Sequence, residues 1–346
     1  MDAGRKIAKA LYFPISTLLN PLGKNGKDPE LEAKKSKTRV QRHNNIKWID
    51  IENPDAREIN KLEEKYGFHY LYLQASLLKA QPQQIEKEES YIFLILHIPS
   101  YEGTENKVIT SQLSVFLGKD YLITIHDDTF PLITDIFEKC ISEKEYKEKY
   151  FSKTSGYILY NLLDTLARDT NSLAQMISQE LDEIEDIVFD VKSSAYRISQ
   201  LRQKIVRLRR ILNSWKNILE EFAPIMSEIT GDSHSRYYGS LTSVIDRLRD
   251  TIEEARETVE IYQDADYIVS SEKTNETLGI LTIIFTLTIP ATVIGTFYGM
   301  NILLPGGLEA GSWNFFGPYT AFILIIIFSS SIFLIMLWFF KIKKWF

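Results

Sequence analysis

The longest apolar runs of this 346-residue chain lie near its C-terminus. No charged residue occurs from Leu278 to Phe297, and a second run, rich in Ile, Leu and Phe, extends from Pro318 to Phe340. A helix of about 20 residues crosses the roughly 30 Å hydrocarbon layer of a membrane. The pattern therefore predicts two transmembrane helices, at about residues 277–297 and at residues 318–340.

The distribution of lysines predicts how these helices are oriented. Lys341, Lys343 and Lys344 follow the second run at once, and positive charge marks the cytosolic side of a span. We therefore expect residues 341–346 to be a basic cytosolic tail and residues 300–317 to be an external loop. Two spans place both termini in the cytoplasm, with the protein in the cell membrane.

Alternating segments between residues 46 and 152 predict a separate folded domain. Four of them are typical of strands: Ile46–Ile51, Ser90–His97, Ser111–Phe116 and Asp120–His126. Asn53-Pro54-Asp55 is a helix-start signal, and Gly67 is a helix-end signal. Strands mixed with helices favour an α/β or α+β domain.

Residues 153–231 are predicted to form an antiparallel helical hairpin. Its first helix is acidic towards the turn and its second is basic. The acids are Glu180, Asp182, Glu183, Glu185, Asp186 and Asp190, and the bases are Arg197, Arg202, Lys204, Arg207, Arg209 and Arg210. We interpret the hairpin as joined by ion pairs, with the alternative that its acidic tip attracts cations.

The third helix is predicted to begin at Asp232 or Ser233 and to continue to residue 299 as a stalk that becomes the first transmembrane helix. Sixty-odd residues at ~1.5 Å each give a rod of roughly 90 Å. Apolar residues recur at alternating steps of four and three, which is typical of a seam that packs on partner helices. The seam comprises Leu241, Ile245, Leu248, Ile252, Ala255, Val259 and Tyr262.

A second stripe with the same spacing runs along the membrane part of this helix. It comprises Asn275, Leu278, Thr282, Phe285, Ile289, Thr292 and Thr296. Two interpretations are open. The hydroxyls can bond to their own backbone, or the stripe can line a path shared by several subunits.

Continued towards the N-terminus, the stripe meets carboxylates. These are Asp264, Glu257, Glu254 and Asp250. An acidic helix face can simply be solvated. In an assembly around an axis, the same residues become stacked carboxylate rings that hold cations, with Asp264 the foremost candidate.

Composition excludes several classes of protein. The net charge of −6 argues against a nucleic-acid binder. Cys140 is the only cysteine, which excludes internal disulfides and cysteine-based metal clusters. The sequence contains no nucleophile–base pair and no phosphate-binding glycine loop that would indicate an enzyme. No cofactor is expected. Residues 1–45 are basic and interrupted by prolines, so we predict a disordered arm.

One tetrapeptide carries a resemblance to a known family. Tyr298-Gly299-Met300-Asn301 ends the first transmembrane run and is followed by a short loop and a lysine-rich tail, as in the signature of the CorA family of magnesium transporters. Lys273–Glu276, Trp48-Ile49-Asp50 and Gly118–His126 also resemble family segments. The likeness covers the chain from Ile46 to its end.

The resemblance implies an α+β membrane protein that forms a funnel-shaped homopentamer. An α/β/α cytosolic domain would lead through the long helical stalk to two C-terminal transmembrane helices, with five copies of the first enclosing a pore. Gly299, Met300 and Asn301 would form the selectivity filter, where the Asn301 amides bind Mg²⁺ through its water shell. Mg²⁺ dehydrates reluctantly, so such a ring selects the ion without stripping it.

Transport in such a protein needs no nucleotide. Two charges crossing ~100 mV gain about 4.6 kcal/mol, which favours passive, voltage-driven influx. Leu278, Phe285 and Ile289 would form apolar constrictions that gate the pore. Mg²⁺ is expected as the transported ion and as a candidate regulatory ion, and cobalt or nickel would also pass.

Two segments depart from the family pattern. At the positions where relatives carry acids of a regulatory metal site, this chain has Ala75 and Ser240. Either Asp246 or Asp250 replaces them, or internal magnesium is sensed weakly. In the external loop only Glu309 is charged, so five copies of it would have to form an electronegative mouth.

Two alternative functions stay open. One is zinc transport by a relative of the same superfamily, for which Met300 is unfavourable. The other is a membrane-anchored oligomeric scaffold whose transmembrane helices only tether it.

Overall fold

The computed structural model describes residues 36–78, 81–102, 107–129, 131–188, 195–231, 234–300 and 320–343. The strands in these ranges are β1 (Lys37–His43), β2 (Ile46–Glu52), β3 (Gln84–Lys87), β4 (Tyr91–Glu102), β5 (Lys107–Gly118) and β6 (Tyr121–His126). The helices are α1 (Ala56–Tyr66), α2 (Tyr70–Leu77), α3 (Pro131–Ser142), α4 (Lys144–Tyr150), α5 (Ser155–Val188), α6 (Ala195–Thr230), α7 (Ser235–Gly299) and α8 (Thr320–Ile342). Strands and short helices thus precede four long helices.

The strands form one sheet in the order β1-β2-β6-β5-β4-β3. β2 and β6 run parallel, whereas the other neighbouring pairs in this sheet are antiparallel. Parallel strands end at the same edge of a sheet, and Glu52 is accordingly the register partner of His126. The ends of β2 and β6 therefore bring polar residues from distant parts of the sequence together.

Helices cover both faces of the sheet. Successive side chains of a strand point to opposite sides, so each strand contributes residues to both packing layers. Ile49 and Phe93 pack on the side of α1 and α2, in one buried cluster with Phe68. On the other side, the Trp48 ring lies 4.9 Å from that of Phe137 on α3. The N-terminal domain is therefore the expected α/β/α sandwich.

The ends of α1 follow from its sequence. The Asp55 carboxylate accepts hydrogen bonds from the amides of Arg57 and Glu58, and the Glu58 side chain accepts from the Asp55 amide. This capping box satisfies amides that have no partner within the helix. Gly67 ends the helix in the left-handed conformation, with φ of 67°.

α5 and α6 form an antiparallel hairpin within residues 153–231. Its ion pairs join Glu180 to Lys204 and Glu183 to Arg197. A higher residue number on α5 is thus paired with a lower one on α6, as expected for antiparallel helices. The sequence predicts that the bases of α6 face the acids of α5, but two of them have other partners. Arg209 pairs with Glu253 on α7, and Arg207 donates to the Val108 carbonyl on β5.

The predicted seam of α7 is confirmed. All seven of its residues, from Leu241 to Tyr262, are buried. Hydrogen bonds join this part of the helix to α5: the hydroxyl of Tyr238 donates to the Gly156 carbonyl at 2.8 Å, and that of Tyr262 donates to Glu185 at 3.2 Å. The seam packs on the hairpin of its own chain.

β1 corrects the prediction that residues 1–45 form a disordered arm. Lys37–His43 pair antiparallel with β2, with Val40 opposite Ile49. An edge strand takes its hydrogen bonds from its neighbour and exposes polar side chains, so basic composition concealed it. Residues 1–35 lie outside the described residues.

The described residues fall into two compact units, and the boundary within α7 follows Tyr262. The second unit holds the remainder of α7 and α8. Each helix contains a stretch long and apolar enough to cross a membrane, and the residues of these two stretches are almost all left uncovered by the chain itself. This exposure is unlike that of a core helix in a soluble protein.

Candidate functional site

The stripe predicted on the membrane part of α7 is exposed along its whole length. All seven residues from Asn275 to Thr296 are exposed, and Leu278, Phe285 and Ile289 each retain just over half of their accessible surface. α7 ends at Gly299, where the Met300 amide donates to the Phe297 carbonyl at 3.3 Å. Asn301 and Glu309 lie outside the described residues.

The threonines of the stripe bond to their own helix. Thr282 donates to the Leu278 carbonyl at 2.7 Å, and Thr296 donates to the Thr292 carbonyl at 2.8 Å. The hydroxyls of these threonines therefore bond to their own backbone, as the first interpretation of the stripe predicts. A hydroxyl that donates its proton in this way still offers lone pairs to water, so the second interpretation stays open.

The seven acids of α7 from Asp246 to Asp264 divide into two sets. The first set is engaged by cations: Asp246 by Lys216 at 2.8 Å and by Arg249 at 3.2 Å, and Glu253 by Arg209 at 2.5 Å. Arg256 joins Glu253 to Glu260. These pairs form a ladder beside the buried seam.

The second set is the predicted acidic stripe. Its four members are Asp250, Glu254, Glu257 and Asp264, and all are exposed. Within the described part of the chain, no cation or hydrogen-bond donor contacts any of these four carboxylates. Intramolecular pairing thus leaves uncompensated the face of α7 whose spacing continues into the membrane stripe.

Asp246 is unsuited to the regulatory role that the sequence left open. The hydrogen bond from Lys216 lowers its pKa, with a further contribution from Arg249, although slight burial opposes the shift. Because the pKa of Asp246 is lowered, the stabilisation from its ion pairs is complete at pH values above the ordinary aspartate pKa. It is lost as the pH falls through the lowered pKa. A cation would have to displace two basic side chains to reach this carboxylate.

The two positions that depart from the family pattern offer no carboxylate. Ala75 packs against the core of the sandwich, and its carbonyl accepts a hydrogen bond from the side-chain amide (Nε2) of Gln112 at 2.9 Å. Ser240 is exposed near the start of α7. Among the described residues, no group of three or more His, Cys, Asp or Glu side chains is placed to hold a metal ion.

Comparison with known proteins agrees with this architecture. The family described as CorA-like Mg²⁺ transporter protein matches residues 43–344. A cobalt/magnesium transport protein CorA from Thermotoga maritima is 27% identical over 302 residues, which cover 86% of this chain and 83% of the relative. A protein of the same description from Methanocaldococcus jannaschii is 26% identical over 263 residues, covering 73% and 79%.

The fold is likewise that of a solved transporter. The complete structure of the CorA magnesium transporter from Methanocaldococcus jannaschii matches with a TM-score of 0.70 at 24% identity, covering 87% of this chain and 92% of that one. Together with the match of the family over residues 43–344, the two uncovered apolar helices indicate a membrane protein. The chain belongs to the CorA-like Mg²⁺ transporter family.

Proposed function

We propose that this protein is a magnesium channel in which copies of α7 surround a central path for the ion. The uncompensated acidic face of α7 carries the proposal. Asp246, Glu253 and Glu260 are paired, whereas Asp250, Glu254, Glu257 and Asp264 are exposed and unpaired among the described residues. A chain that neutralises one row of acids and leaves the neighbouring row open presents a surface suited to cations.

Helical phase connects this acidic face to the membrane. Steps of four and three residues lead from Asp250 through Asp264 to Asn275 and Thr296. A strict seven-residue repeat stays on one side of a helix when helices coil around each other. We infer that several copies, five as the family resemblance implies, place this line towards their common axis.

The selectivity filter in this proposal is the ring of Gly299, Met300 and Asn301. α7 ends at Gly299, so the chain leaves the helix just before the asparagine. Amide oxygens from several copies would accept hydrogen bonds from the water shell of Mg²⁺, which such an ion surrenders reluctantly. Five copies of Glu309 would attract cations to the external mouth.

Gating is assigned to the apolar members of the stripe. Leu278, Phe285 and Ile289 are exposed in the single chain and would form constrictions where copies meet. A narrow apolar ring blocks ions by losing its water. In this proposal the membrane potential drives a divalent cation inward, and the lysines that follow the second apolar run favour a cytosolic position for both termini.

Ion flux into liposomes tests the proposal. The purified protein is reconstituted around a magnesium-sensitive dye, a potential negative inside is imposed, and uptake is compared between wild type and Asn301→Ala. We expect rapid uptake by wild type, and loss of the preference for Mg²⁺ over Ca²⁺ in the variant. Unchanged selectivity in the variant would remove the asparagine ring from the mechanism.

Two further arms separate the alternatives. Zn²⁺ uptake faster than Mg²⁺ uptake by wild type would favour the zinc-transporting relative. Absence of flux in correctly assembled wild-type protein would favour the scaffold.

A further inference from the structure

A buried group of charged residues lies where β2 and β6 end. The side chains of His126 and Asp50 keep 1% and 0% of their accessible surface. Glu52 on β2 and Arg39 on β1 are also largely buried, at 10% and 16%. The channel proposed above uses none of these residues. Charges so far from water need partners, because an isolated buried charge is strongly unfavourable.

Both ring nitrogens of His126 face acceptors. Nδ1 lies 2.7 Å from the Asp127 carbonyl oxygen, and Nε2 lies 3.1 Å from Oδ1 of Asp50. A neutral imidazole has one N–H and one bare nitrogen, whereas an imidazolium has two N–H donors. The neutral form would therefore leave a lone pair pointing at an oxygen in the interior.

The hydroxyl of Thr124 fixes the role of Asp50. The indole N–H of Trp48 can only donate, and it contacts the Thr124 Oγ1 atom at 3.1 Å. The hydroxyl proton is thus free to be donated, and Oδ1 of Asp50 at 2.6 Å is a nearer acceptor than the Ile49 carbonyl at 3.4 Å. This oxygen accepts from Thr124 and faces His126 as an acceptor. The proton between His126 and Asp50 consequently belongs to the histidine.

Counting charge gives the same result. Arg39 donates to Oδ2 of Asp50 at 3.1 Å and to Glu52 at 2.5 Å. One guanidinium thus serves two buried carboxylates. Two more charged groups reach this cluster from exposed positions: Lys37 lies 3.5 Å from Glu52, and Glu138 on α3 lies 3.9 Å from Arg39. A positive His126 makes two cations for two carboxylates.

We propose that His126 is held as an imidazolium in the folded protein and that its deprotonation loosens the junction of β2, β6 and α3, which makes the N-terminal domain pH-sensitive. The segment affected is the link from β6 to α3. There the Asn53 amide donates to the His126 carbonyl at 2.8 Å, and the Asp128 amide donates to Oδ1 of Asn53 at 3.3 Å. Arg39 also reaches Thr134 of α3, at 3.4 Å.

The direction of the pKa shift agrees with the geometry. Burial by itself would lower the pKa of His126, but the hydrogen bond to Asp50, the charge of Asp50, the bond to the Asp127 carbonyl and the charge of Glu52 outweigh it and raise the pKa. A raised pKa gives stabilisation that is complete below the ordinary histidine value and is lost as the pH rises through the folded value. The sensitive range therefore begins near neutrality and extends upward.

Nitrogen NMR of the histidine rings tests the protonation state directly. The full chain, labelled with ¹⁵N-histidine and ¹³C-aspartate, is studied in liposomes at pH 7.5, and His126 is the ring that correlates with the Asp50 carboxylate carbon. We expect imidazolium shifts at both nitrogens. His69 is the internal control, because its Nδ1 accepts a hydrogen bond from the backbone amide of Leu71 at 3.3 Å. A neutral tautomer at His126 would overturn the proposal.

Thermal unfolding tests the consequence for stability. The midpoint of the full chain is measured between pH 6 and 9 for wild type, His126→Gln and the control His69→Gln. We expect the midpoints of wild type and His69→Gln to fall by several degrees as the pH rises, and that of His126→Gln to change much less. An equal fall in all three would overturn the pH-sensitive role. Should His126→Gln fail to fold, the profile of wild type against His69→Gln and the ring nitrogens of wild type decide the question.

Discussion

Nζ of Lys204 lies 2.6 Å from Oε2 of Glu180 across the α5–α6 hairpin. The lysine side chain keeps only 4% of its accessible surface, and the glutamate keeps 18%. The Lys204 ammonium also lies 5.6 Å from the centre of the Tyr101 ring, at the end of β4. This ion pair is therefore part of the packing of the hairpin on the sheet, unlike the more exposed pair of Glu183 and Arg197.

Replacing Glu180 with Leu should lower the free energy of unfolding by roughly 3 kcal/mol, because a buried ammonium loses the carboxylate that lies 2.6 Å from it. Glu180→Leu with Lys204→Met should recover most of this loss, since both charged groups of the pair are then absent. The control is Glu183→Leu, because the Glu183 side chain keeps 67% of its accessible surface, and its effect should stay below about 1 kcal/mol. Urea unfolding of the detergent-solubilised protein measures all three, and equal effects at residues 180 and 183 would contradict the burial argument.

Two glycines should respond to alanine in opposite ways. A Cβ at Gly156 would lie 2.6 Å from the Met226 sulfur, so either the Met226 side chain or the α6 backbone must shift. We expect Gly156→Ala to cost about 1–3 kcal/mol. Nothing lies within 4 Å of a Cβ at Gly239, on α7, where alanine should stabilise the helix by up to ~1 kcal/mol. A Gly156→Ala protein with a thermal midpoint as high as that of Gly239→Ala would refute the steric argument.

The two sets of α7 acids should differ in their effect on transport. Asp264→Asn should reduce Mg²⁺ uptake several-fold in liposomes, because its carboxylate is exposed and unpaired among the described residues. Asp246→Asn should change uptake less than twofold, because its charge is already neutralised by Lys216 and Arg249. The reverse order of effects would show that ions follow another face of α7.

Cys140 should be chemically inert in the folded protein. Its side chain is fully buried, and burial raises the pKa of its thiol to about 12, although Lys149 acts in the opposite direction. The thiolate is the reactive form. A maleimide at pH 8 should therefore leave native protein unlabelled and label it fully in denaturant. Labelling of the native protein at the rate of a free thiol would contradict the packing around α3.

Much of the fold was predictable because periodicity records burial. The seam from Leu241 to Tyr262 follows heptad spacing and is buried throughout. The two apolar runs were recognisable from length and lack of charge, and each lies in a helical stretch that belongs to the second unit. Gly67 marked the end of α1 because a left-handed residue is needed there.

Other features depend on partners that sequence spacing does not reveal. β1 is an edge strand with polar side chains, so its existence depends on β2. The bond between Asp50 and His126 joins residues 76 positions apart, through the parallel pairing of β2 and β6. The division of α7 acids into paired and unpaired sets required the positions of Lys216 and Arg209 on α6. Asn301 and Glu309 stay predictions.

The measurement that most directly tests the proposed path is thiol modification at two adjacent positions of α7. Thr292→Cys lies on the stripe and Val293→Cys lies beside it, and both positions are exposed in the single chain. Each variant is reconstituted in liposomes, treated with a charged methanethiosulfonate reagent, and assayed for Mg²⁺ uptake. We predict that the reagent modifies Thr292→Cys and blocks its uptake, while Val293→Cys, facing lipid or a neighbouring helix, keeps its flux. Modification and block at Val293→Cys with none at Thr292→Cys would contradict an aqueous path along the stripe.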